Sequence, residues 1–155
     1  MEQISWVFDL NGTISDTQQR EWLNPRTNPS ASWDAYFLAS QDDMPKQPVI
    51  DMMRANAHFH IVVLTGRGVI ARGVTENWLA DHNVYHNQLI MREGGDHRSS
   101  VDFKLAAVKM IQTTHEIGLW IDNDRRVTSA MRWLGIPTRL VSSHAYTASQ
   151  QREES

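Results

Sequence analysis

Val7-Phe8-Asp9-Leu10-Asn11-Gly12-Thr13 is the stretch that decides the fold and most of the predicted chemistry. An apolar strand runs into Asp9, and the turn that follows contains Gly12, where the backbone can approach a ligand closely. A carboxylate beside a glycine-containing turn of this size is typical of a site that forms an acyl phosphate. We therefore predict that Asp9 is a nucleophile and that the amides near Gly12 bind a phosphate group.

Size and composition limit the alternatives. With 155 residues, 17.8 kDa and 41% apolar residues, the chain suits one compact domain with a single core. It contains no cysteine, which excludes disulfides, thiolate metal sites and a cysteine nucleophile. We expect a cytoplasmic protein with no membrane contact, because the sequence shows no signal peptide and no apolar run near the roughly 18 residues of a membrane span.

The charge of the chain argues against one class of partner. A net charge of −3 and a pI near 6.1 do not suit a protein that wraps duplex nucleic acid by bulk electrostatics. A local basic pocket remains possible, and arginines near the motifs suit bidentate contacts to a phosphate group.

Hydrophobic periodicity predicts alternating strands and helices. The predicted strands span residues 4–9, 60–64, 88–91, 118–122 and about 138–141, and the predicted helices span 33–38, 49–55, 75–81, 103–111 and 127–134. This order predicts an α/β fold, a three-layer Rossmann-like arrangement with a mainly parallel sheet. We assign residues 1–141 to the domain, 15–48 to a small cap-like insertion and 142–155 to a polar tail.

Individual residues carry further expectations. Thr75 is predicted to cap the helix that it opens. Trp6, Trp78, Trp120 and Trp133 are expected in the core or between helices, whereas Trp22 and Trp33 lie in the insertion, where they either pack locally or border a substrate. In a parallel sheet the carboxyl ends of neighbouring strands meet, so Asp9, Thr65 and Asp122 are expected in one crevice.

Four motifs in order resemble those of the haloacid dehalogenase (HAD) superfamily. They are Asp9-Leu10-Asn11-Gly12-Thr13, Leu64-Thr65-Gly66-Arg67, Lys104 and Ile121-Asp122-Asn123-Asp124. A narrower resemblance, to the 3'-phosphatase domain of bacteriophage polynucleotide kinase/phosphatase and its stand-alone phage relatives, rests on Arg92-Glu93-x-Gly95-Asp96-x-Arg98 and on residues 33–48. It implies a HAD-type phosphatase in a bacterial or phage-infected cell. The kinase half is absent from the sequence, because no phosphate-binding Gly-x-x-x-x-Gly-Lys-Ser/Thr motif occurs.

Residue types and the resemblance together assign a role to each position. Asp9 would attack the phosphorus, and Lys104 would neutralise charge on the nucleophile and the phosphate. Mg²⁺ would be bound by Asp9, by the backbone carbonyl of Asn11 and by Asp122 or Asn123. Phosphate would be bound by Thr65, Gly66 and Gly12, and the rest of the substrate by Arg67, Arg92 and Arg98, which Asp96 helps to organise. The histidines are too scattered to predict a zinc site.

Asn11 departs from the family pattern, which has an aspartate there as general acid and base. Asparagine can only hydrogen-bond the leaving oxygen, and losing a general acid costs about 10²–10⁴ in rate. Asn11 is either an engineered change, a natural change to a binding protein, or a variant tolerated because Asp16 or Asp124 substitutes; deamidation at Asn-Gly is a fourth possibility. Asn123, where relatives often have aspartate, also departs from the pattern.

Three functions follow as hypotheses. The first is a Mg²⁺-dependent phosphomonoesterase acting on a 3'-phosphorylated nucleic-acid end or nucleotide. The second is a catalytically silent phosphate- or nucleotide-binding protein. The third is a phosphatase for small nucleotides. The sequence leaves the choice between DNA and RNA, and the oligomeric state, open.

Overall fold

The computed structural model describes residues 3–142, and the predicted polar tail lies outside these residues from position 143 onward. The strands are β1 (Gln3–Asp9), β2 (Ser15–Asp16), β3 (Met44–Pro45), β4 (His60–Gly68), β5 (Gln88–Arg92), β6 (His115–Asp122) and β7 (Thr138–Leu140). The α-helices are α1 (Trp33–Leu38), α2 (Gln47–Ala55), α3 (Arg72–Asp81), α4 (Ser100–Ile111) and α5 (Arg125–Trp133). Shorter 3₁₀ helices span Gln18–Leu23, Ala39–Asp42 and Val69–Ala71.

Within the described residues, a five-stranded sheet has the order β5-β4-β1-β6-β7. Its strand pairs are parallel, as crossover connections through helices require. β1 is the central strand, and Asp9 at its end lies in register with Leu64 of β4. The predicted α/β fold with a mainly parallel sheet is confirmed.

Helices cover both faces of the sheet. Phe8, Ile61 and Ile121 face one side, where residues of α2 and α3 complete a buried cluster. Val7 and Trp120 face the other side, where α4 and α5 supply the partners. Because successive side chains of a strand point to opposite faces, strands buried on both sides need nearly continuous apolar runs, and β1 and β4 have them.

The segment between β1 and α2 contains the short antiparallel pair β2 and β3. Lys46, at the start of α2, is 1% exposed, and its ammonium donates to the carbonyls of Gly12 and Ser142. This lysine connects the turn after β1 to the last described residues. The segment is therefore attached to the sheet at the same edge as Asp9.

Two sequence-based expectations are wrong. Trp133 is 91% exposed, because it ends α5 on the face turned away from the core. Thr75 does not cap a helix, since α3 begins three residues earlier at Arg72; its side chain is buried and its hydroxyl accepts a hydrogen bond from Arg67. Trp6 is partly buried against the core, and Trp78 and Trp120 are buried, as expected.

Among residues 3–142, no helix has both the length and the apolar character that crossing a bilayer requires.

Candidate active site

Two strand ends meet at one edge of the sheet. Asp9 is the last residue of β1 and Asp122 is the last residue of β6, whereas Thr65 follows Leu64 inside β4, which continues to Gly68. Asp9 and Asp122 contact the same lysine, which confirms that parallel neighbours bring these distant positions together. Thr65 is fully buried, and its hydroxyl accepts a hydrogen bond from the amide of Arg67, so its contact with phosphate stays a prediction.

The turn after Asp9 depends on Gly12. Its φ is +83°, and a Cβ at this position would lie 2.5 Å from Nδ2 of Asn123. The carbonyl of Leu10 accepts the amides of Thr13, Ile14 and Ser15 at 3.0–3.2 Å, which holds the turn tight. Glycine is therefore required by both backbone conformation and space. Asn123 packs directly on this turn.

Asp9 is held from two sides. Its Oδ2 accepts a hydrogen bond from the Thr13 hydroxyl at 3.0 Å, and its Oδ1 accepts one from Lys104 Nζ at 3.0 Å. The same ammonium donates to Asp122 Oδ2 at 2.8 Å, and the Trp120 indole N–H donates to that oxygen at 3.2 Å. The carboxylate of Asp9 is 7% exposed, so it is fixed and largely shielded from water.

Burial and the neighbouring carboxylate of Asp122 raise the pKa of Asp9, against the opposing effect of the Lys104 ammonium. Burial alone would lower the pKa of Lys104, but Asp9 and Asp122 outweigh it and raise the pKa, so the lysine stays charged. One ammonium thus faces two buried carboxylates. The site has a surplus of negative charge that a cation would neutralise.

The same residues fit a magnesium ion. Asp9 and Asp122 offer hard oxygen ligands, Asn123 places a carboxamide against the Gly12 turn, and the backbone carbonyl of Asn11 lies two residues after Asp9. The Thr13 hydroxyl connects the groups, donating at 3.4 Å to Asn123 Oδ1 as well as to Asp9. No set of three histidine or acidic side chains in the part of the chain described is placed for a metal ion. Any divalent cation here therefore needs carboxamide or carbonyl oxygens in addition to the two carboxylates.

Asn11 is held by a buried arginine cluster. Its Oδ1 accepts hydrogen bonds from Arg20 Nη2 at 3.0 Å and Arg67 Nε at 2.8 Å. Asp43 joins the two arginines: it pairs with Arg20 at 2.9 Å and with Arg67 at 3.4 Å, and the three side chains have no exposed surface. Burial and the nearby Arg20 lower the pKa of Arg67 to about 9. The partners of Arg67 in this structure are Asn11, Asp43 and Thr75, and its contact with substrate stays a prediction.

Arg20 and Asp43 were not predicted from the sequence. Both lie in the polar segment that was assigned to the insertion, and no motif marks either of them. Arg20 also donates to the backbone carbonyl of Tyr36 at 2.9 Å, and Asp43 accepts a hydrogen bond from Gln19 at 2.9 Å. Only the proximity of the insertion to Asn11 reveals their importance.

The remaining predicted arginines form a second cluster. The side chains of Arg98 and Asp96 are joined by two hydrogen bonds, of 3.0 and 2.7 Å, while Arg92 contacts the carbonyls of Gly66, Asp96 and Arg98. The guanidinium of Arg92 also lies 4.6 Å above the ring of Phe103. Asp96 thus touches both arginines, as expected, and Arg92 ties this loop to Gly66. Arg98 is half exposed and faces solvent.

Most of the chain matches a known protein family. The profile of the family described as "Polynucleotide kinase PNKP phosphatase domain" matches residues 3–146. No curated protein sequence matches the chain.

Solved structures of low sequence identity share the fold. A chain of the Pnkp1/Rnl/Hen1 complex aligns over 94% of this chain with a TM-score of 0.75 and 21% identity, and a chain of the Pnkp1/Rnl/Hen1 RNA repair complex aligns over 94% with a TM-score of 0.76 and 21% identity. This chain spans only 48% and 44% of those two chains. A hydrolase from Streptococcus pneumoniae TIGR4 aligns over the full length of both chains, with a TM-score of 0.59 and 12% identity.

Proposed function

Because this chain belongs to the family of polynucleotide kinase PNKP phosphatase domains, within the HAD superfamily, we propose that it is a Mg²⁺-dependent phosphomonoesterase for 3'-phosphorylated nucleic-acid ends. The observation that carries the proposal is the placement of Asp9. Its carboxylate lies at a strand end, held by Thr13 and Lys104, and beside the Gly12 turn. We propose the cytoplasm as its location and residues 1–141 as one domain, with 15–48 as the insertion.

The chemistry consists of two displacements. A carboxylate oxygen of Asp9 forms a bond to phosphorus, the ester P–O bond breaks, and its electron pair leaves with the sugar oxygen, which takes up a proton. Water then attacks the phosphorus of the aspartyl-phosphate, the bond to Asp9 breaks, and the carboxylate is restored as the water gives up a proton. The products are an alcohol and inorganic phosphate. Mg²⁺, held by Asp9, the Asn11 carbonyl, Asp122 and Asn123, would neutralise charge on the phosphoryl oxygens.

The residues of the chain have separate tasks in these steps. Lys104 keeps its charge and faces both the nucleophile and Asp122, so it lowers the repulsion between Asp9 and a phosphate dianion. The amides around Gly12 and Gly66, with Thr65, are our candidates for donors to the phosphoryl oxygens. Asn11 cannot deliver a proton, so the leaving oxygen depends on water or on another acid.

The substitute acids considered from the sequence differ in their surroundings. Asp124 caps α5 through the amide of Arg126 and pairs with that arginine at 3.1 Å. Asp16 is buried and accepts the amide of Gln18. In these contacts each carboxylate accepts hydrogen bonds, so neither contact keeps the carboxyl group protonated as an acid for the leaving oxygen. We therefore propose that turnover by this sequence is slow.

A specific observation favours the second function, that of a silent phosphate- or nucleotide-binding protein. The amide oxygen of Asn11 is fully engaged by Arg20 and Arg67, so asparagine is well accommodated at this position. Such a protein would keep the phosphate site and lose turnover. The RNA repair complexes among the structural neighbours are a reason to include RNA ends among the ligands tested.

The experiment measures phosphate release from 3'-phosphorylated DNA and RNA oligonucleotides and from nucleoside monophosphates, in Mg²⁺ and in EDTA. The chain is compared with Asp9→Asn and Asn11→Asp. Mg²⁺-dependent release of phosphate that disappears in Asp9→Asn supports the phosphatase. The rate of release is expected to rise by a factor of about 10²–10⁴ in Asn11→Asp. Tight phosphate binding with no release by the unchanged chain or by Asn11→Asp would support the binding protein instead. A preference for nucleoside monophosphates would support the small-nucleotide phosphatase.

A further inference from the structure

Trp33 is a large aromatic residue that the core does not use. It is the first residue of α1, whose N-cap is Ser32, and the residue is 42% exposed. Its ring stacks on Phe37, with centroids 5.6 Å apart and planes 27° apart, and meets Tyr36 edge-on at 5.9 Å. The indole is thus held in place by its neighbours, while much of its surface faces solvent.

A continuous chain of contacts leads from this indole to Asn11. The ring of Tyr36 touches Trp33 on one side, and the guanidinium of Arg20 lies 4.2 Å from its centroid. The same guanidinium donates to Asn11 at 3.0 Å. Trp33 is therefore connected to Asn11 of the candidate active site through two side chains.

One arginine lies against the exposed indole. Arg26 is exposed and its guanidinium lies 5.6 Å from the ring centroid of Trp33, near the outer limit of a cation–π contact. We name the residues Trp33 and Arg26 the Trp33 surface.

On the premise of the phosphatase function proposed above, we propose that the Trp33 surface binds the nucleotides that precede the terminal phosphate of a single strand. A base stacks on the indole, and Arg26 pairs with a backbone phosphate. Aromatic faces beside arginines are the usual means of holding an unpaired strand without reading its sequence. Because the Arg26 contact is long, the guanidinium can leave the ring for a phosphate when a base arrives.

Charge complementarity selects this ligand. The chain as a whole carries −3, yet the charged group that lies over the Trp33 ring is the guanidinium of Arg26. An anionic strand with π-faces matches both components, and its terminal phosphate would lie toward Asp9. Duplex ends would have to fray for a base before the last one to use the surface, because a base inside a duplex is stacked on both faces.

The binding test uses fluorescence anisotropy of a 5'-labelled, 3'-phosphorylated decanucleotide, in EDTA so that the proposed Mg²⁺-dependent turnover does not consume it. Trp33→Ala is expected to weaken binding roughly tenfold or more, the range of one base–aromatic stack. Arg26→Ala is expected to reduce the slope of log affinity against log salt by about 0.7, the value of one lost phosphate contact. Trp133→Ala and Arg132→Ala, at the far end of α5, are the matched controls and are expected to bind as the unchanged chain does.

A second arm removes the base instead of the indole. Decanucleotides with single abasic positions near the 3' end are compared on the unchanged chain and on Trp33→Ala. One abasic position is expected to weaken binding to the unchanged chain roughly tenfold and to have little effect on Trp33→Ala, because both changes remove the same contact. This coupling compares two strands on the same protein, so it does not depend on the stability of the variant. Trp33→Phe is the independent check on stability.

The outcomes separate this inference from the proposed function. Equal binding by Trp33→Ala and the unchanged chain, equal losses in Trp33→Ala and Trp133→Ala, additive losses with the abasic strand, or no binding of the strand would each overturn it. Phosphate release from p-nitrophenyl phosphate tests the chemistry separately, since this substrate has no base. Release of that phosphate with no effect of Trp33 on strand binding leaves the phosphatase standing without the surface. Binding through Trp33 with no release of phosphate from any substrate would support the Trp33 surface and count against the phosphatase.

Discussion

Asn11 Oδ1 joins two buried guanidiniums, accepting hydrogen bonds from Arg20 at 3.0 Å and from Arg67 at 2.8 Å. Asp43 is the carboxylate that pairs with both arginines, so two positive charges face one negative charge in a space with no exposed side-chain surface. The cluster can accept a second carboxylate. Position 11 is the place where it would fit.

Asn11→Asp is therefore expected to stabilise the fold as well as to restore an acid. The added charge pairs with both arginines, and a gain of about 1–2 kcal/mol in the free energy of unfolding is expected after its desolvation. Urea unfolding of both proteins measures it. Asn77→Asp, an exposed change of the same kind on α3, is the control and is expected to change little. A loss of stability in Asn11→Asp would contradict the charge argument.

Asp43→Asn is expected to destabilise the fold strongly. It removes the carboxylate from Arg20 and Arg67 and leaves both guanidiniums buried, which costs about 3–5 kcal/mol. Thermal and urea unfolding measure the loss, with exposed Asp42→Asn as the neighbouring control. The loss is expected to shrink in the double variant Asp43→Asn/Asn11→Asp, because the new carboxylate reaches the same two arginines. Equal losses in the single and double variants would count against this.

Lys104→Met is expected to make stability depend on magnesium. Without the ammonium, Asp9 and Asp122 repel each other in a buried site, so the variant should unfold more easily in EDTA. A bound cation replaces the lost charge and raises the unfolding temperature as its concentration exceeds the dissociation constant. The measurement is the unfolding temperature against Mg²⁺ concentration, with Lys109→Met, exposed on the same helix, as control. An equal response to Mg²⁺ in both variants would argue against a cation between the two carboxylates.

Gly12→Ala tests the turn. The positive φ alone costs about 1 kcal/mol or slightly more for a residue with a Cβ, and the contact with Asn123 adds to it. Gly135→Ala is the matched control, because its φ is +78° but its Cβ would have no neighbour within 4 Å. We expect both variants to lose stability and Gly12→Ala to lose more, together with phosphate binding. Equal losses of stability would mean that Asn123 moves aside at no cost.

The pH dependence of stability has a component from His115. Burial and the nearby His60, whose ring lies 4.1 Å away, lower the pKa of His115 in the folded state. The unfolded chain then binds more protons, so stability falls as pH drops from the ordinary value near 6.5 through the folded value. His115→Asn should reduce this fall by less than about 1 kcal/mol, because the group is close to solvent. Urea unfolding of the unchanged chain and of His115→Asn between pH 7.5 and 5.5 measures it, and equal slopes in the two proteins would contradict the prediction.

The strands and their functional ends could be predicted because the signals are local. The apolar runs before Asp9, Thr65 and Asp122 identify buried strands, and the rule for parallel sheets places their ends together. The structure brings Lys104 to the first and last of these residues, as the motif order implied. Helix starts were predicted less accurately. α3 begins before Thr75, at Arg72, and the Thr75 hydroxyl pairs with Arg67. In the sequence, a polar side chain that pairs with an arginine looks the same as one that caps a helix.

The sequence by itself determined the α/β fold, the order of its motifs and the identity of the residues at the strand ends, because periodicity and spacing act over short distances. Only the tertiary structure decided that Arg20 contacts Asn11 while Asp43 pairs with that arginine, that Arg67 is buried, and that Trp133 is exposed. These relations join segments far apart in the chain. Burial and charge pairing at such positions depend on which segments meet, and no local pattern records that.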